Sequence, residues 1–278
     1  MDIDHLKTWI GRQETLDDHL GLFPSAALSA TLDRDDPAPA AGDPLPPLWH
    51  WLHFLPRARQ SEIGPDGHPK RGGFLPPVPL PRRMWAGGRL HFHAPLHLGD
   101  TVRRTSTIAD VSAKTGRSGT LVFVLVRHEI SGPAGLAITE EHDIVYRDAP
   151  APGDAAPTPK QADATSPWHR AITPDDVLLF RYSALTFNGH RIHYDRRYVT
   201  TEEGYPGLIV HGPLLATLLL DLYCRNDTRK VKSFSFRALS PVFDTTPFTV
   251  HGAPDPTGAK LWVRRNDGAL CMEATVGV

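Results

Sequence analysis

The sequence predicts an α+β protein made of two similar units, each an antiparallel sheet wrapped around one central helix. Three features lead to that reading. Segments with apolar residues at every second position recur in both halves of the 278-residue chain, as half-buried strands require. One long apolar run, opened by Gly212 and Pro213, fits a helix enclosed by other elements. The halves also echo each other at an offset of 144 residues (236 minus 92): Phe92, Ala94, Asp100 and Thr101 meet Phe236, Ala238, Asp244 and Thr245.

In the N-terminal unit, 1–148, the helix falls near residues 24–32. Strands follow at 89–94, 101–111, 120–130 and 137–146; Leu90, Phe92 and Ala94 share one face of the first. Between helix and sheet lies an insertion, 34–83. Twelve of the 27 prolines fall between Pro37 and Pro81, so the insertion reads as irregular. Trp49, Trp51, Phe54 and Phe74 mark it as packed, and core packing or an acyl pocket are both open to Trp49, Trp51 and Phe54. A second Pro-rich stretch, 149–167, reads as an extended linker to the C-terminal unit, 168–278. That unit opens with a strand at 177–184 and a long polar loop. Pro213 suits the first turn of the helix, because a proline there removes no intrahelical hydrogen bond. Strands at 232–238, 247–251, 260–265 and 270–276 complete it, separated by Gly, Pro, Asn and Asp turns. Two such units side by side can share one continuous sheet.

Composition excludes several classes. Thirty basic against 31 acidic residues leave a net charge of −1, without the basic footprint of a nucleic-acid binder. Cys224 and Cys271 cannot build a disulfide framework, which points to a reducing compartment, the cytoplasm. The first twenty residues lack the apolar core of a signal peptide, and the apolar run 214–220 is too short to span a membrane.

The chemistry-bearing segment is Arg181 to Asp195, with Asn188, His190, Arg191 and His193, followed by His211 and Gly212. A neutral histidine can take a proton from water at physiological pH. The first N–H groups of a helix lack internal partners, sit at its positive end and can stabilise an oxyanion. Gly212 allows close approach to that end. Together these parts can add water to an α,β-unsaturated thioester or remove it. Spacing alone leaves His193 open to a structural role and Gly212 to simple packing. His91, His93 and His97 lack the further ligands of a metal site, and none is expected.

The segment resembles the hydratase motif of MaoC-like hotdog enzymes, Asp-x-Asn-Pro-Ile-His followed by a His-Gly that opens the central helix. Ile192-His193 and His211-Gly212 match it. The wording from Thr186 to Asp195 is most similar to the type 2 3-hydroxyacyl-thioester dehydratase branch, which includes mesaconyl-C4-CoA and itaconyl-CoA hydratases. Phe74 to Pro77, Met84 to Phe92 and Leu98 to Asp100 resemble the same branch. The resemblance implies a double hotdog fold and reversible hydration of an acyl-CoA thioester, preferentially a short dicarboxylic one. It implies a homodimer or larger assembly; the chemistry itself requires no metal or organic cofactor. His193, Asn188 and Gly212 become the catalytic candidates, and His190 and His211 substrate-binding ones; Arg191 and Arg181 join them because guanidinium forks suit CoA phosphates or a substrate carboxylate, although solvated surface charge is open to both. Asn188 stands where the motif has its Asp, and an amide cannot act as a base. Asp195 is the nearest carboxylate, although capping or bracing of the loop suits it better. The alternatives are a general 3-hydroxyacyl-thioester dehydratase, a thioesterase using Asp221, and a non-catalytic acyl-CoA-binding module.

Overall fold

The computed structural model describes residues 1–116, 119–148 and 158–278. Ten strands form one sheet. In chain order they are β1 (Gln13–His19), β2 (Arg82–Phe92), β3 (Thr101–Gly116), β4 (Gly119–Gly132), β5 (Gly135–Arg147), β6 (Trp168–Ile172), β7 (Ser233–Ala238), β8 (Phe248–Asp255), β9 (Gly258–Arg265) and β10 (Leu270–Gly277). The sheet order is β1-β3-β4-β5-β2-β7-β10-β9-β8-β6. Outward from the centre, each half has the same order, so the fold is duplicated. The join is the antiparallel pairing of β2 with β7, where Gly88 faces Phe236 and Leu90 faces Phe234.

The helices are α1 (Ile3–Lys7), α2 (Leu22–Thr31), α3 (Asp176–Leu185), α4 (Arg196–Thr201) and α5 (Gly212–Asn226). Each unit carries its central helix between its first and second strands, α2 in the first and α5 in the second. Every residue of α5 from Leu214 to Tyr223 is buried, which explains its all-round apolar character. Its one buried carboxylate, Asp221, is bound by Arg34, Arg170 (3.2 Å) and Arg225 (2.7 Å). Arg170 and Arg225 also donate to the Leu32 carbonyl at 2.9 and 3.1 Å, so this cluster ties α5 and β6 to the end of α2.

Most expected strands are present. The segment 177–184 is not a strand but part of helix α3. Asp175 caps it, accepting from the Leu178 N–H at 2.8 Å, and it buries Leu179, Tyr182 and Ser183, an i, i+3, i+4 face. Strands β1 and β6 are additions to the expected set. The expected linker lies partly outside the described residues, at 149–157. Its remainder follows the edge of the second unit: Leu270 N–H donates to the Lys160 carbonyl at 2.7 Å and Trp262 Nε1 to that of Asp163 at 3.0 Å.

The Pro-rich insertion packs on the N-terminal sheet at two places. Its first 3-10 turn, Trp49–Leu52, lies over the sheet. There Trp49 and Phe54 join the main core, while His50 and Trp51 reach Glu140 of β5 at 2.9 and 2.8 Å. Further on, Val78 and Leu80 pack with Ile108, Val122 and Tyr146 in a second, smaller core. No described helix is long and apolar enough to cross a membrane.

Candidate active site

The loop between α3 and α5 carries the site. Helix α3 ends in a Schellman turn: Asn188 N–H donates to the Ser183 carbonyl (2.8 Å) and Phe187 N–H to that of Ala184 (3.2 Å). Phe187 takes the left-handed conformation, φ 47°, that the turn requires. Asn188 Oδ1 then accepts from the His190 N–H at 3.0 Å and closes the next turn. A short 3-10 turn, Arg191–His193, aims His193 inward.

His193 is 8% exposed. Its Nδ1 lies 2.7 Å from the Ile209 carbonyl, an acceptor, so Nδ1 carries the proton. The Nε2 lone pair is therefore free. It has no hydrogen-bond partner among the described residues, and it is not sealed from solvent. Burial pushes the His193 pKa down to about 4, outweighing the Ile209 bond. The ring is held on two faces. His211 stacks on it at 3.8 Å and 18°, and His190 meets it edge-on at 5.4 Å and 90°.

His211 is 1% exposed and is the N-cap residue of α5; its Nε2 pairs with Ser183 Oγ at 2.8 Å. It lies as a platform under His193, and its Nδ1 is buried without a partner among the described residues. Gly212 follows it as the first residue of the helix, and a Cβ built there would meet nothing within 4 Å. Open space thus lies over a helix start whose Gly212 N–H has no acceptor among the described residues.

The structure adds a partner that sequence reasoning missed. The insertion forms a hairpin-like loop, with Lys70 N–H donating to the Glu62 carbonyl at 2.8 Å and Gly64 N–H to that of His68 at 2.7 Å. Its tip docks on the loop that carries His193. Arg191 N–H donates to the Asp66 carbonyl (2.9 Å), and Arg191 Nη1 donates to that of Pro65 (2.9 Å). Gly67 (φ +88°) sits so close to the Gly189 backbone that a Cβ would fall 1.8 Å from the Gly189 carbonyl oxygen. Asp66 Oδ2 lies 3.1 Å from His68 Nδ1, and the His68 ring lies 3.9 Å from that of His190. Burial raises the Asp66 pKa, but the two His68 bonds outweigh it and keep the carboxylate below its ordinary range. Burial, reinforced by the charge of His68, pushes His190 down to about 2.

The other sequence candidates are placed as follows. Arg191 is engaged by Asp195 (2.8 and 3.0 Å) and stacks on Tyr198 at 4.1 Å. Asp195 also caps α4 through the Tyr198 N–H at 3.0 Å, so it braces the loop. Arg181 is not with the histidines. It borders a separate open cleft of about 420 Å³ with Asp33, Arg170 and Leu218. His91 and His93 stack at 6.4 Å on the exposed face at the end of β2. The described group best spaced for a cation is instead Asp66, His68 and His190, with one donor atom each within 4.8 Å of the others. Structural zinc usually takes four ligands, and Asp66 is already bonded to His68.

A second polar chain, buried except at His142, runs across the N-terminal sheet: Ser106 to His128 (2.8 Å), His128 to His142 (3.3 Å), His142 to Glu140 (2.5 Å) and Glu140 to His50 (2.9 Å). Burial opposes charge on Glu140, but His142 and His50 together outweigh it and hold the carboxyl well below its ordinary range. Trp85 stacks on His142 at 4.1 Å, and Trp51, Trp85 and Phe236 pack edge-to-face beside it.

The duplicated sheet, each half wrapped around one helix, is a double hotdog fold, and the family to which the sequence belongs makes the protein a hydro-lyase of that fold. The chain belongs to the hydroxyacyl-thioester dehydratase type 2 family, whose profile matches residues 48–244. It is 51% identical over 272 residues to the mesaconyl-C(4)-CoA hydratase of Chloroflexus aurantiacus, with 96% of each chain covered. It is 32% identical over 284 residues to the mitochondrial hydroxyacyl-thioester dehydratase type 2 of Schizosaccharomyces pombe, covering 90% of this chain and 92% of that one. Solved structures agree on the fold. A MaoC-like dehydratase from Phytophthora capsici superposes with a TM-score of 0.68 at 15% identity, over 100% and 99% of the two chains. A Mycobacterium tuberculosis protein described as a double hotdog gives 0.60 at 14%, over 99% and 96%.

Proposed function

We propose that the protein reversibly hydrates a short dicarboxylic enoyl-CoA of the mesaconyl-C4-CoA type, with His193 as the base. The observation that carries the chemistry is the His193 ring, proton fixed on Nδ1 and Nε2 open, beside the start of α5. In the hydration direction, Nε2 removes a proton from water as the water oxygen bonds to Cβ. The Cα=Cβ electrons move onto the thioester carbonyl. The Gly212 N–H, at the positive end of a 15-residue helix, stabilises the enolate oxygen that forms. The enolate then collapses, and Cα takes the proton back from Nε2. Every atom of water ends in the 3-hydroxyacyl thioester, and dehydration is the same path reversed. The low His193 pKa keeps Nε2 unprotonated across the neutral range, at a cost in proton affinity.

The acyl preference is supported by the relative that is half identical over nearly its whole length and is named for mesaconyl-C(4)-CoA. A thioesterase would need a carboxylate at the substrate carbonyl, and Asp221 is instead held by three arginines. The test is a steady-state screen of short dicarboxylic and monocarboxylic enoyl-CoAs. Loss of enoyl-thioester absorbance at constant total thioester, with the highest kcat/KM on a dicarboxylic substrate, is expected. Release of free CoA would support the thioesterase, and a preference for long monocarboxylic chains the general dehydratase.

A further inference from the structure

The loop between α3 and α5 has a histidine base, but none of its own carboxylates, Asp195, Glu202 or Glu203, is hydrogen-bonded to a histidine among the described residues. Asn188 stands at the motif's carboxylate position, and its Oδ1 is taken by the His190 N–H at 3.0 Å. Asp195 is taken by Arg191 and the Tyr198 N–H. The carboxylate that reaches the histidines is Asp66, which comes from the other half of the chain, 122 positions before Asn188 (188 minus 66).

Asp66 Oδ1 accepts the His68 N–H at 3.0 Å, and Oδ2 lies 3.1 Å from His68 Nδ1. The His68 ring lies against His190 at 3.9 Å, and His190 meets His193 edge-on at 5.4 Å. The loop tip is pinned beside them by Arg191 and by the Gly67–Gly189 contact. A single hydrogen bond to Ile209 leaves the His193 ring free to rock about that bond; the rings on either side must stop it.

We infer that Asp66 and His68 are positioning residues of this active site, lent by the N-terminal insertion to the loop that holds the base. Asp66 fixes the His68 ring, His68 fixes His190, and His190 holds His193 with Nε2 toward the attacking water. The inference rests on the hydratase reading of the site and deepens it. It also gives the Pro-rich insertion a role in turnover beyond covering the sheet.

The test compares the full-length wild type with Asp66→Asn, Asp66→Glu and His68→Gln on mesaconyl-C4-CoA, with a thermal melt of each. Asp66→Asn and His68→Gln are expected to lower kcat by about tenfold or more with KM within about threefold, because a small misplacement of a catalytic group is costly. Asp66→Glu is expected to recover part of the loss. His68→Gln leaves the backbone bonds that dock the loop intact, so it separates ring positioning from docking. An unchanged kcat in both variants, or a loss confined to KM, overturns the inference while the hydratase reading stands. Activity removed by a chelator and restored by zinc overturns it too, by making the cluster a metal site. A wild type inactive on every enoyl-CoA overturns the hydratase reading and the inference with it.

Discussion

The pH dependence of turnover follows from the desolvation of His193. Its pKa is pushed from 6.5 to about 4, chiefly by burial. At pH 5 a base with a pKa of about 4 is about 90% unprotonated, whereas one at 6.5 is only about 3% unprotonated. The kcat/KM at pH 5 is therefore expected to stay near its neutral value and to fall with unit slope only below about pH 4. The same depression has a stability consequence. The folded-state pKa lies below the unfolded one, so the unfolded chain takes up the proton first as pH falls. Stability is undiminished above pH 6.5 and declines by about 3 kcal/mol as pH drops to about 4. The assay follows enoyl-thioester absorbance after a brief pH jump, and return to pH 7 checks that the fold survived. An inflection near 6.5, with only a few per cent of activity left at pH 5, would refute a desolvated His193 as the base.

Three further outcomes are expected. Asp221→Ala leaves Arg34, Arg170 and Arg225 around an empty position and should cost about 3–5 kcal/mol, read from chemical denaturation; an unchanged midpoint would contradict the cluster. Asn188→Asp keeps an acceptor for the His190 N–H and should retain measurable activity, so complete inactivation of a folded variant would contradict its placement. Gly67→Ala puts a Cβ into the Gly189 backbone and should lower kcat by undocking the loop tip; wild-type kinetics would show that the contact is dispensable.

Much of the fold was legible in the sequence because its strands are half-buried and alternate, as Leu90 and Phe92 do on β2. Helix α5 was legible because burial on all sides leaves it uniformly apolar. Helix α3 reads as a strand because Val177-Leu178-Leu179-Phe180 looks like a short buried one; the deciding features are the Asp175 cap and the spacing of Leu179, Tyr182 and Ser183. Strand β1 leaves little trace because only Leu16 is apolar within Gln13–His19. His193 and Gly212 stand in one local motif and can be found there. Asp66 and His68 cannot, because no local pattern records which distant loop will dock on the motif. The buried chain through Glu140 leaves a faint signal, polar residues on the apolar faces of β4 and β5.

In the proposed mechanism, removal of the water proton by His193 is the step on which the rest of the chemistry depends. Replacing the residue with alanine, and measuring substrate binding and turnover on the same preparation, isolates that step. Binding of mesaconyl-C4-CoA by His193→Ala is expected to stay close to wild type, with kcat lowered by about 10²–10⁴-fold, the usual worth of a general base. A folded His193→Ala protein that turns over at near the wild-type rate would contradict a role for His193 as the base.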